Sequence, residues 1–519
     1  MDPILPDGVV SLLADSVSVT TCLVLIFSSI VITWYWINRK SESGNFEGRP
    51  LPGPWGIPVF GNLFSFDQRN PHLSLIKLAK VYGNICKIRL GSKPVLVLNG
   101  RKAIYNAFAK QAVVFSGRPN LFNFKAINRA TSYGPTVSFT TYSEEWKDHR
   151  RIVETTLHKF TTGGQVSFLE KVTQREVEEL IRYLTVSKHE TTADIPCLIR
   201  ISLSNIMLWF MFKKRAAYND KKYIEFMRFF DEFMKETGSA KLIDYLPWLR
   251  FLPFKPSTVF LEALKRFNQG TRGLINEQHE LYDQKSLKYL MEEVQTTHQD
   301  TDDNDFKCMD ISGPQALQNA FELFGAGYTS TATIMEWAMV YMALFPEDQS
   351  DIQREIDRVL GRDRLPSMDD VDKLPLTQSC ILEVLRIRGD GPLTIPHSTT
   401  KDTILDGYFV PKDMLVFFNL HSAHHDPEVW DKPDVFNPRR FLSQDGTLDK
   451  EKENLLIAFG LGRRQCIGSS LGRLSLFIYF TTFLQKLRLT RHEDEEINMG
   501  YEYGLNLRPV NFNVHIESR

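Results

Sequence analysis

Phe459-Gly460-Leu461-Gly462-Arg463-Arg464-Gln465-Cys466-Ile467-Gly468 is a loop that surrounds one cysteine with glycines and arginines, directly before an apolar run. A buried thiolate is costly unless a metal or hydrogen-bond donors stabilise it. Gly462 and Gly468 can take backbone angles that other residues avoid, and both let a flat ligand come close. Arg464 can fork onto a carboxylate, and Phe459 can shield the sulfur from oxidants. The pattern therefore favours a cysteine that acts as a ligand.

The loop matches all five fixed positions of Phe-x-x-Gly-x-Arg-x-Cys-x-Gly, the haem-ligand signature of the cytochrome P450 superfamily. This resemblance implies that Cys466 is the axial ligand of a haem b iron, and that Arg464, Phe459 and Gly462 belong to the cofactor site. Two other interpretations are a buried structural cysteine in a turn and a dinucleotide-binding loop. The second is disfavoured because Gly460-x-Gly462 alone is a weak match and no strand-helix-strand unit surrounds it.

The composition indicates a large globular enzyme and gives no sign of nucleic-acid binding. The chain has 519 residues, of which 43% are hydrophobic, so it can bury a large core. Its length alone favours about three domains, but the motifs described here are spread between residues 146 and 468 and must converge on one site. The net charge is −1, which does not favour a nucleic-acid partner. Six cysteines form no Cys-x-x-Cys pair, which fits a reducing compartment.

The N-terminal segment predicts a membrane anchor. Residues 16–38 are an uncharged run, and a helix needs about 20 residues to cross a bilayer. Trp34, Tyr35 and Trp36 resemble an interfacial belt of aromatic residues. The basic residues Arg39 and Lys40 follow them, so the positive-inside rule places the body of the protein in the cytosol. A cleaved signal peptide is the alternative, and the length of the run disfavours it.

These features divide the chain into four predicted parts. Residues 1–15 are a short lumenal N-terminus, and residues 16–38 are a single transmembrane anchor. Residues 39–58 are a linker and a proline-rich hinge, in which closely spaced prolines make a stiff strut. Residues 59–519 are the haem-thiolate catalytic domain. The resemblance to microsomal family members implies the endoplasmic reticulum membrane.

The remaining pattern predicts a mainly α fold with small β-sheets, as the resemblance to the P450 fold also implies. Short β-like runs occupy residues 85–90 and 94–98, and helical patterns dominate from about residue 145. Residues 314–344 form an apolar run in which only Glu322 and Glu336 are charged. A helix that is apolar on nearly all sides lies inside a large protein or a membrane. We expect a long central helix that crosses the haem, with a second membrane span as the alternative.

Three residues predict a buried ionic cluster. Glu383 and Arg386 are three residues apart in an apolar helical stretch, so they share a face and need further partners. The segment that contains Arg440 can supply one. Together they resemble the Glu-x-x-Arg and Pro-x-Arg-Phe elements of the family, which implies that they hold the core and the haem pocket.

Further residues resemble the family's haem-propionate ligands and partner surface. Trp146 and Arg150 fit Trp-x-x-x-Arg, one helical turn apart, and His397 is a third candidate. The same helix carries a basic patch, for which the resemblance implies docking of an NADPH-dependent flavoprotein reductase and of cytochrome b5. The patch consists of Lys147, His149, Arg150, Arg151 and Lys159. His421, His424 and His425 look like metal ligands, but no acid or cysteine at ligand spacing completes the set, and the stretch resembles a structural turn of the family.

The central helix departs from the family pattern Ala/Gly-Gly-x-Asp/Glu-Thr. Its residues are Ala326-Gly327-Tyr328-Thr329-Ser330, so Thr329 replaces the acid and Ser330 the threonine. Ser330 can relay a proton through water, whereas Thr329 is no acid at neutral pH. Alternatively, these hydroxyls only bond back to carbonyls one turn earlier.

Three hypotheses follow from this departure. Two of them make the protein an enzyme, and the third does not. The favoured one is a monooxygenase that uses O2 and NADPH-derived electrons, with Ser330 and Thr329 beside the oxygen site. The second is an isomerase or dehydratase of a peroxide substrate, which needs no proton delivery. The third is a haem-based sensor or carrier.

Nearly the whole chain from residue 50 resembles animal microsomal family members that oxidise aryl hydrocarbons and steroids. That resemblance implies a lipophilic substrate, such as a steroid, an aromatic compound or a xenobiotic, and a largely apolar pocket. The implied pocket residues are Phe122, Phe124, Phe321, Ala326, Leu393 and Leu505.

Overall fold

The computed structural model describes most of the chain. The described residues are 20–22, 24–25, 28–29, 47–67, 69–130, 136–162, 166–186, 194–212, 215–238, 242–251, 256–281, 314–491, 496–510 and 512–519. Most of the predicted anchor at residues 16–38 lies outside these ranges, and all of residues 1–15 do. Among the helices that are described, none combines the length and the apolar character that a membrane crossing requires.

The described residues confirm a mainly α-helical fold with small sheets. The α-helices are α1 (Pro71–Tyr82), α2 (Gly100–Phe108), α3 (Phe122–Ala130), α4 (Glu144–Thr162), α5 (Val166–Val186), α6 (Ile195–Phe212), α7 (Lys221–Gly238), α8 (Leu242–Tyr245), α9 (Pro256–Leu281), α10 (Pro314–Leu344), α11 (Pro346–Leu360), α12 (Pro375–Arg388), α13 (Leu420–His424), α14 (Lys450–Leu455) and α15 (Ser469–Lys486).

Short strands form one larger sheet and several hairpin-like pairs. The strands are β1 (Ile85–Leu90), β2 (Lys93–Leu98), β3 (His397–Ser398), β4 (Thr403–Leu405), β5 (Tyr408–Val410), β6 (Leu415–Phe418), β7 (Leu487–Thr490), β8 (Tyr501–Tyr503), β9 (Leu507–Pro509) and β10 (His515–Ser518). The four-stranded sheet has the order β1-β2-β6-β3, in which only the β2–β6 pair is parallel. The two predicted strands near residue 90 are confirmed.

The proline-rich segment lies along the edge of this sheet. The N–H of Lys87 in β1 donates to the Pro52 carbonyl at 2.7 Å. A Cβ added to Gly53 would lie 1.8 Å from the Lys87 carbonyl oxygen, so no side chain fits there. Close packing on β1 therefore fixes the direction in which the chain enters the catalytic body.

Helix α10 runs through the core, as its apolar sequence predicts. It packs against α6 and α15, and both Tyr328 and Trp337 are fully buried. The Trp337 indole N–H donates to the Leu507 carbonyl at 2.7 Å. The two charged residues of helix α10 both have partners, because a buried charge without a partner is unfavourable. The Glu322 carboxylate accepts the N–H groups of Val137 and Ser138 at 3.0 and 3.1 Å.

Glu336 is the more deeply buried of the two acids, with a side chain 1% exposed. Its carboxylate lies 2.7 Å from the Arg200 guanidinium and 3.7 Å from that of Arg508. Burial raises the pKa of Glu336, and the two arginines oppose that shift. This pairing ties α6 and β9 to the central helix.

We expect Glu336→Ala to lower the free energy of unfolding by about 3–5 kcal/mol, because Arg200 loses its closest buried partner. The matched control is Glu502→Ala, which removes an exposed pair with Lys235 and should cost less than about 1 kcal/mol. Urea titration followed by circular dichroism measures both. Equal effects of the two substitutions would contradict the role given to Glu336.

Candidate active site

Backbone hydrogen bonds fix the cysteine loop. The Cys466 N–H donates to the Phe459 carbonyl at 2.8 Å, and the Gln465 N–H donates to the Gly462 carbonyl at 3.1 Å. Gly462 has a φ of +72°, and a Cβ there would lie 2.0 Å from the Phe108 carbonyl oxygen. Glycine is therefore required at Gly462. Gly468 has an ordinary φ of −95°, and the space that a Cβ would enter there is open.

Cys466 lines a cleft of about 690 Å³ that residues of α4 and of the cysteine loop share. The residue is accessible to solvent, yet desolvation by the surrounding protein raises the pKa of its thiol. The N–H of Gly468 and the charge of Arg150 oppose this shift, and the carboxylate of Asp390 adds to it. A thiol in this setting stays protonated at neutral pH until a metal stabilises the thiolate.

Arg464 is bound by three backbone carbonyls beside this loop. Its guanidinium donates to the carbonyl oxygens of Ser116, Val137 and Thr140 at 2.8, 3.0 and 2.7 Å. It also stacks on Trp146, with its carbon 3.7 Å from the ring centroid. These contacts hold the arginine rigidly, and none of them neutralises its charge.

Arg118 lies in the same cluster, although sequence reasoning gave it no role. Its guanidinium donates to the carbonyls of Ser138, Ile395 and Pro396 at 2.7, 2.9 and 3.0 Å. The signal available in the sequence was its place in Phe115-Ser116-Gly117-Arg118-Pro119, a stretch that resembles the family. The surrounding protein desolvates this arginine, which makes it a candidate to bind an anion. A single sequence does not reveal such desolvation.

The arginine cluster brings two half-buried guanidiniums close together. Burial and the charges of Arg118 and Arg150 lower the pKa of Arg464 to about 7. Burial and Arg150 lower that of Arg118 to about 9. Within the described part of the chain, Arg118 and Arg464 donate to backbone carbonyls, and neither has a carboxylate partner. Such a cluster favours an anionic ligand, and the two carboxylates of a haem meet this requirement beside a cysteine ligand.

The other predicted propionate ligands surround this cluster. The Trp146 indole donates to the Val137 carbonyl at 2.9 Å, and Arg150 donates to the Gln465 carbonyl at 2.6 Å and pairs with Glu154 at 2.7 Å. His397 is buried, and its Nδ1 lies 2.9 Å from the Phe115 carbonyl oxygen. Their roles toward a propionate stay predictions.

The structure brings the three residues of the predicted ionic cluster together. Glu383 and Arg386 are fully buried, and two N–H···O contacts of 2.8 and 2.9 Å join them. Arg440 adds contacts of 2.9 and 3.1 Å to the same carboxylate, and the Asn437 N–H donates to it at 3.0 Å. A buried ion pair stabilises a fold only when its remaining polar groups have partners. Here Arg386 also donates to the His424 carbonyl at 2.7 Å.

The hydroxyls of α10 bond back along their own helix. Thr329 donates to the Gly325 carbonyl and Ser330 to the Ala326 carbonyl, both at 2.8 Å. Ser330 and Ala326 share one accessible face of the helix. Thr329 is buried and lines a different cleft of about 300 Å³, together with residues of β8 and β9. The two predicted catalytic residues therefore face different spaces.

The predicted pocket residues divide between two cavities. Phe124, Leu393 and Leu505 line one internal cavity of about 60 Å³, together with Phe139, Tyr245 and Phe417. Phe122 instead lines a wider cleft of about 870 Å³ whose lining includes three lysines and one arginine. The side chain of Phe321 lies outside the described residues. Ala326 is accessible on the α10 face described above.

Of the three histidines near residue 424, His424 is buried and His421 and His425 are half-buried. Burial holds the pKa of His421 and His424 well below the usual range, and lowers that of His425 to about 4. His421 stacks on His425 with ring centroids 3.8 Å apart. In the described ranges, no group of three or more histidine, cysteine or acidic side chains is arranged to hold a metal ion.

Comparison with known proteins places the site in a family. The model of the family described as Cytochrome P450 matches residues 51–516. The chain belongs to the cytochrome P450 family. It is 33% identical to cytochrome P450 1A1 of Rattus norvegicus over 91% of each chain, and 33% identical to cytochrome P450 1A1 of Oncorhynchus mykiss over 95% of each chain. Cytochrome P450 1A5 of Gallus gallus is 32% identical over 89% of this chain and 88% of its own.

Membership confirms the superfamily resemblance and the monooxygenase class of the enzyme. The P450 family uses haem b, and its electrons derive from NADPH through a reductase. The residues present fit that cofactor, because an accessible cysteine lies beside half-buried guanidiniums that lack a carboxylate partner in the described ranges. Cys466 would hold the iron, and Arg118 and Arg464 would face the propionates.

The arginine cluster makes a prediction about haem chemistry. We expect apoprotein from a haem-deficient host to bind haem at least about a hundredfold more tightly than haem dimethyl ester, because each lost ionic contact is worth about 1.5–3 kcal/mol. Arg118→Met should reduce the ratio of the affinity for haem to the affinity for haem dimethyl ester. Arg473→Met is the control, since that arginine stacks on Phe459 but pairs with Glu453. Equal affinities of the wild-type apoprotein for haem and its ester would exclude propionate recognition by the cluster.

Proposed function

We propose that this P450 inserts one oxygen atom from O2 into a lipophilic organic substrate, using electrons from NADPH that a flavoprotein reductase delivers. The observation that carries this proposal is the juxtaposition of an accessible Cys466 with the half-buried guanidiniums of Arg118 and Arg464, which lack a carboxylate partner among the described residues. The proposed substrate is a steroid, an aromatic compound or a xenobiotic.

The residues of the chain have distinct proposed roles. When bound, the haem supplies the redox-active iron at which O2 is activated. Cys466 donates its thiolate, and the N–H of Gly468 lowers the cost of that charge. Ser330 lies on the accessible face of α10 and passes protons between water and the reaction site. The Ser330 hydroxyl donates to the Ala326 carbonyl, which orients it. The lone pairs of the hydroxyl oxygen stay free to accept a hydrogen bond from water.

Electrons are proposed to enter on the α4 side. Lys147 and Arg151 are exposed there, and a cleft of about 690 Å³ between α4 and the cysteine loop reaches Cys466. His149 is buried, so it does not belong to the exposed part of the predicted basic patch. The side chain of Lys159 lies outside the described residues. An exposed basic surface accelerates association with an acidic reductase and, in the same way, with cytochrome b5.

The proposed location is the endoplasmic reticulum membrane, with the catalytic domain in the cytosol. This proposal rests on the uncharged run at residues 16–38 and the basic residues Arg39 and Lys40 that follow it. The domain boundaries at residues 15, 38 and 58 belong to the same proposal. A lipophilic substrate would then be available from the bilayer.

The pocket supports a lipophilic substrate that is larger than the cavity around Phe124. That cavity has a volume of about 60 Å³, whereas ligand sites usually measure about 300–1,000 Å³. The ligand must therefore extend beyond it, toward the accessible face that carries Ala326 and Ser330. Aromatic and aliphatic walls favour flat apolar groups through stacking and burial.

A second candidate function is isomerisation or dehydration of a peroxide substrate. The specific observation in its favour is that Thr329, at the position of the family's acid, is buried and bonded to the Gly325 carbonyl. A peroxide already carries its oxygen atoms and needs neither reductase nor proton delivery. Conversion of a lipid hydroperoxide without NADPH or reductase, in the absence of any NADPH-dependent product, would establish this function instead.

The proton role of Ser330 gives a test of the proposed monooxygenase. We expect Ser330→Ala to keep consuming NADPH with reductase and substrate, while product per NADPH falls at least about tenfold, because protons reach the site less efficiently. The control is Thr331→Ala, which removes a similar bond to the Gly327 carbonyl on another face. Unchanged coupling in Ser330→Ala would refute the relay.

A further inference from the structure

The internal cavity beside Phe124 carries two polar side chains that have an unpaired atom. Asn123 and Thr237 both line this cavity, and they are only 4% and 8% exposed. The carboxamide oxygen of Asn123 and the hydroxyl oxygen of Thr237 are buried, and neither has a hydrogen-bond partner among the described residues. Burial of a polar group without a partner is unfavourable. Two such groups on the wall of one cavity therefore indicate a site for a polar group of a ligand.

The Thr237 hydroxyl differs from those of other buried helical threonines in this protein. A threonine inside a helix commonly donates to the carbonyl one turn earlier. Thr173 does so to Leu169 at 2.9 Å, and Thr482 does so to Ile478 at 2.7 Å. Thr237 lies in α7 but makes no such bond. Its hydroxyl can therefore both donate a hydrogen bond to a ligand and accept one from it.

Neighbouring contacts fix the positions of both side chains. The Asn123 N–H, in the first turn of α3, donates to the buried Asp244 carboxylate at 3.2 Å. Next to Thr237, a Cβ on Gly238 would lie 1.9 Å from the Leu505 nitrogen, so α7 packs directly on the turn between β8 and β9. Asp244, Gly238 and Leu505 also line the cavity. The two polar side chains therefore belong to a closely packed wall.

The same cavity borders the segment that holds the arginine cluster. Ile395 and Pro396 line the cavity, and their carbonyls accept hydrogen bonds from the Arg118 guanidinium at 2.9 and 3.0 Å. Most of the remaining lining is apolar, and the volume is about 60 Å³. A cavity of this size holds one end of a ligand, whose body extends out of it. A few polar groups in an apolar wall then fix the orientation of that ligand.

We propose that Asn123 and Thr237 are specificity-determining residues, which hydrogen-bond to the hydroxyl group of a lipophilic alcohol or phenol. This inference rests on the proposed function, because it names the substrate class of the same site. The ligand hydroxyl donates to the Asn123 carboxamide and accepts from Thr237, while the aromatic and aliphatic walls hold the apolar body. A hydrocarbon of the same shape would leave both side chains unpaired, so the site selects against it.

Binding of two isosteric probes to the purified holoenzyme tests the proposal. 4-(Naphthalen-2-yl)phenol carries a hydroxyl group at the end of a flat apolar body, and 2-(4-methylphenyl)naphthalene carries a methyl group in its place. Equilibrium dialysis measures both dissociation constants without turnover. We expect the wild type to bind the phenol at least about tenfold more tightly than the methyl compound.

Two substitutions assign this preference to the two side chains. Thr237→Val and Asn123→Leu, which keep the side-chain size nearly constant, should each reduce the ratio of the two affinities at least about threefold, because each removes one partner of the hydroxyl. The matched control is Thr173→Val. It removes a buried helical hydroxyl of α5 that lies outside this cavity and already has a carbonyl partner, so the ratio should stay unchanged.

The proposal is overturned if the wild type binds both probes equally or prefers the methyl compound. It is also overturned if either variant folds and keeps the wild-type ratio. If neither variant folds, the wild-type ratio alone decides. The proposed function is tested separately, because it fails if neither probe is oxidised in an NADPH- and reductase-dependent reaction, whatever the ratio of affinities. Oxidation of both probes without a preference for the phenol would refute only the roles of Asn123 and Thr237.

Discussion

Desolvation by the surrounding protein makes a free thiolate at Cys466 unfavourable. The site is built so that a metal ligand reverses this preference for the protonated thiol. The loop from Phe459 to Gly468 fixes the sulfur through backbone hydrogen bonds, while surrounding protein raises the pKa of the thiol. A metal ion is the partner that turns such a thiol into a stable thiolate. The same burial that penalises the free anion therefore makes the cysteine a selective ligand for an iron cofactor.

Compensation of buried charge separates structural from functional groups in this protein. Glu383 has Arg386 and Arg440 as partners, and Glu336 has Arg200, so both carboxylates stabilise the core. Arg118 and Arg464 donate only to backbone carbonyls, and neither has a carboxylate partner among the described residues. We therefore infer that these guanidiniums without partners meet a ligand, namely the carboxylates of the cofactor.

Much of the fold and part of the site follow from the sequence, because local pattern determines them. The apolar run at residues 314–344 predicts the central helix, and alternating apolar residues predict the strand at residues 85–90. Burial and orientation depend on distant packing, which a single sequence does not reveal. Sequence reasoning consequently gave no role to Arg118. It also grouped Thr329 with Ser330, although successive helical residues point about 100° apart and here line different spaces.

The carbon-monoxide difference spectrum of the reduced protein tests the central claim most directly. The account predicts the ferrous carbonyl band typical of a thiolate-ligated haem, and its loss in Cys466→Ser, which replaces the sulfur by oxygen. Cys380→Ser is the control, since that buried cysteine belongs to α12 and should leave the band unchanged. A thiolate-type band that persists in Cys466→Ser would contradict the account.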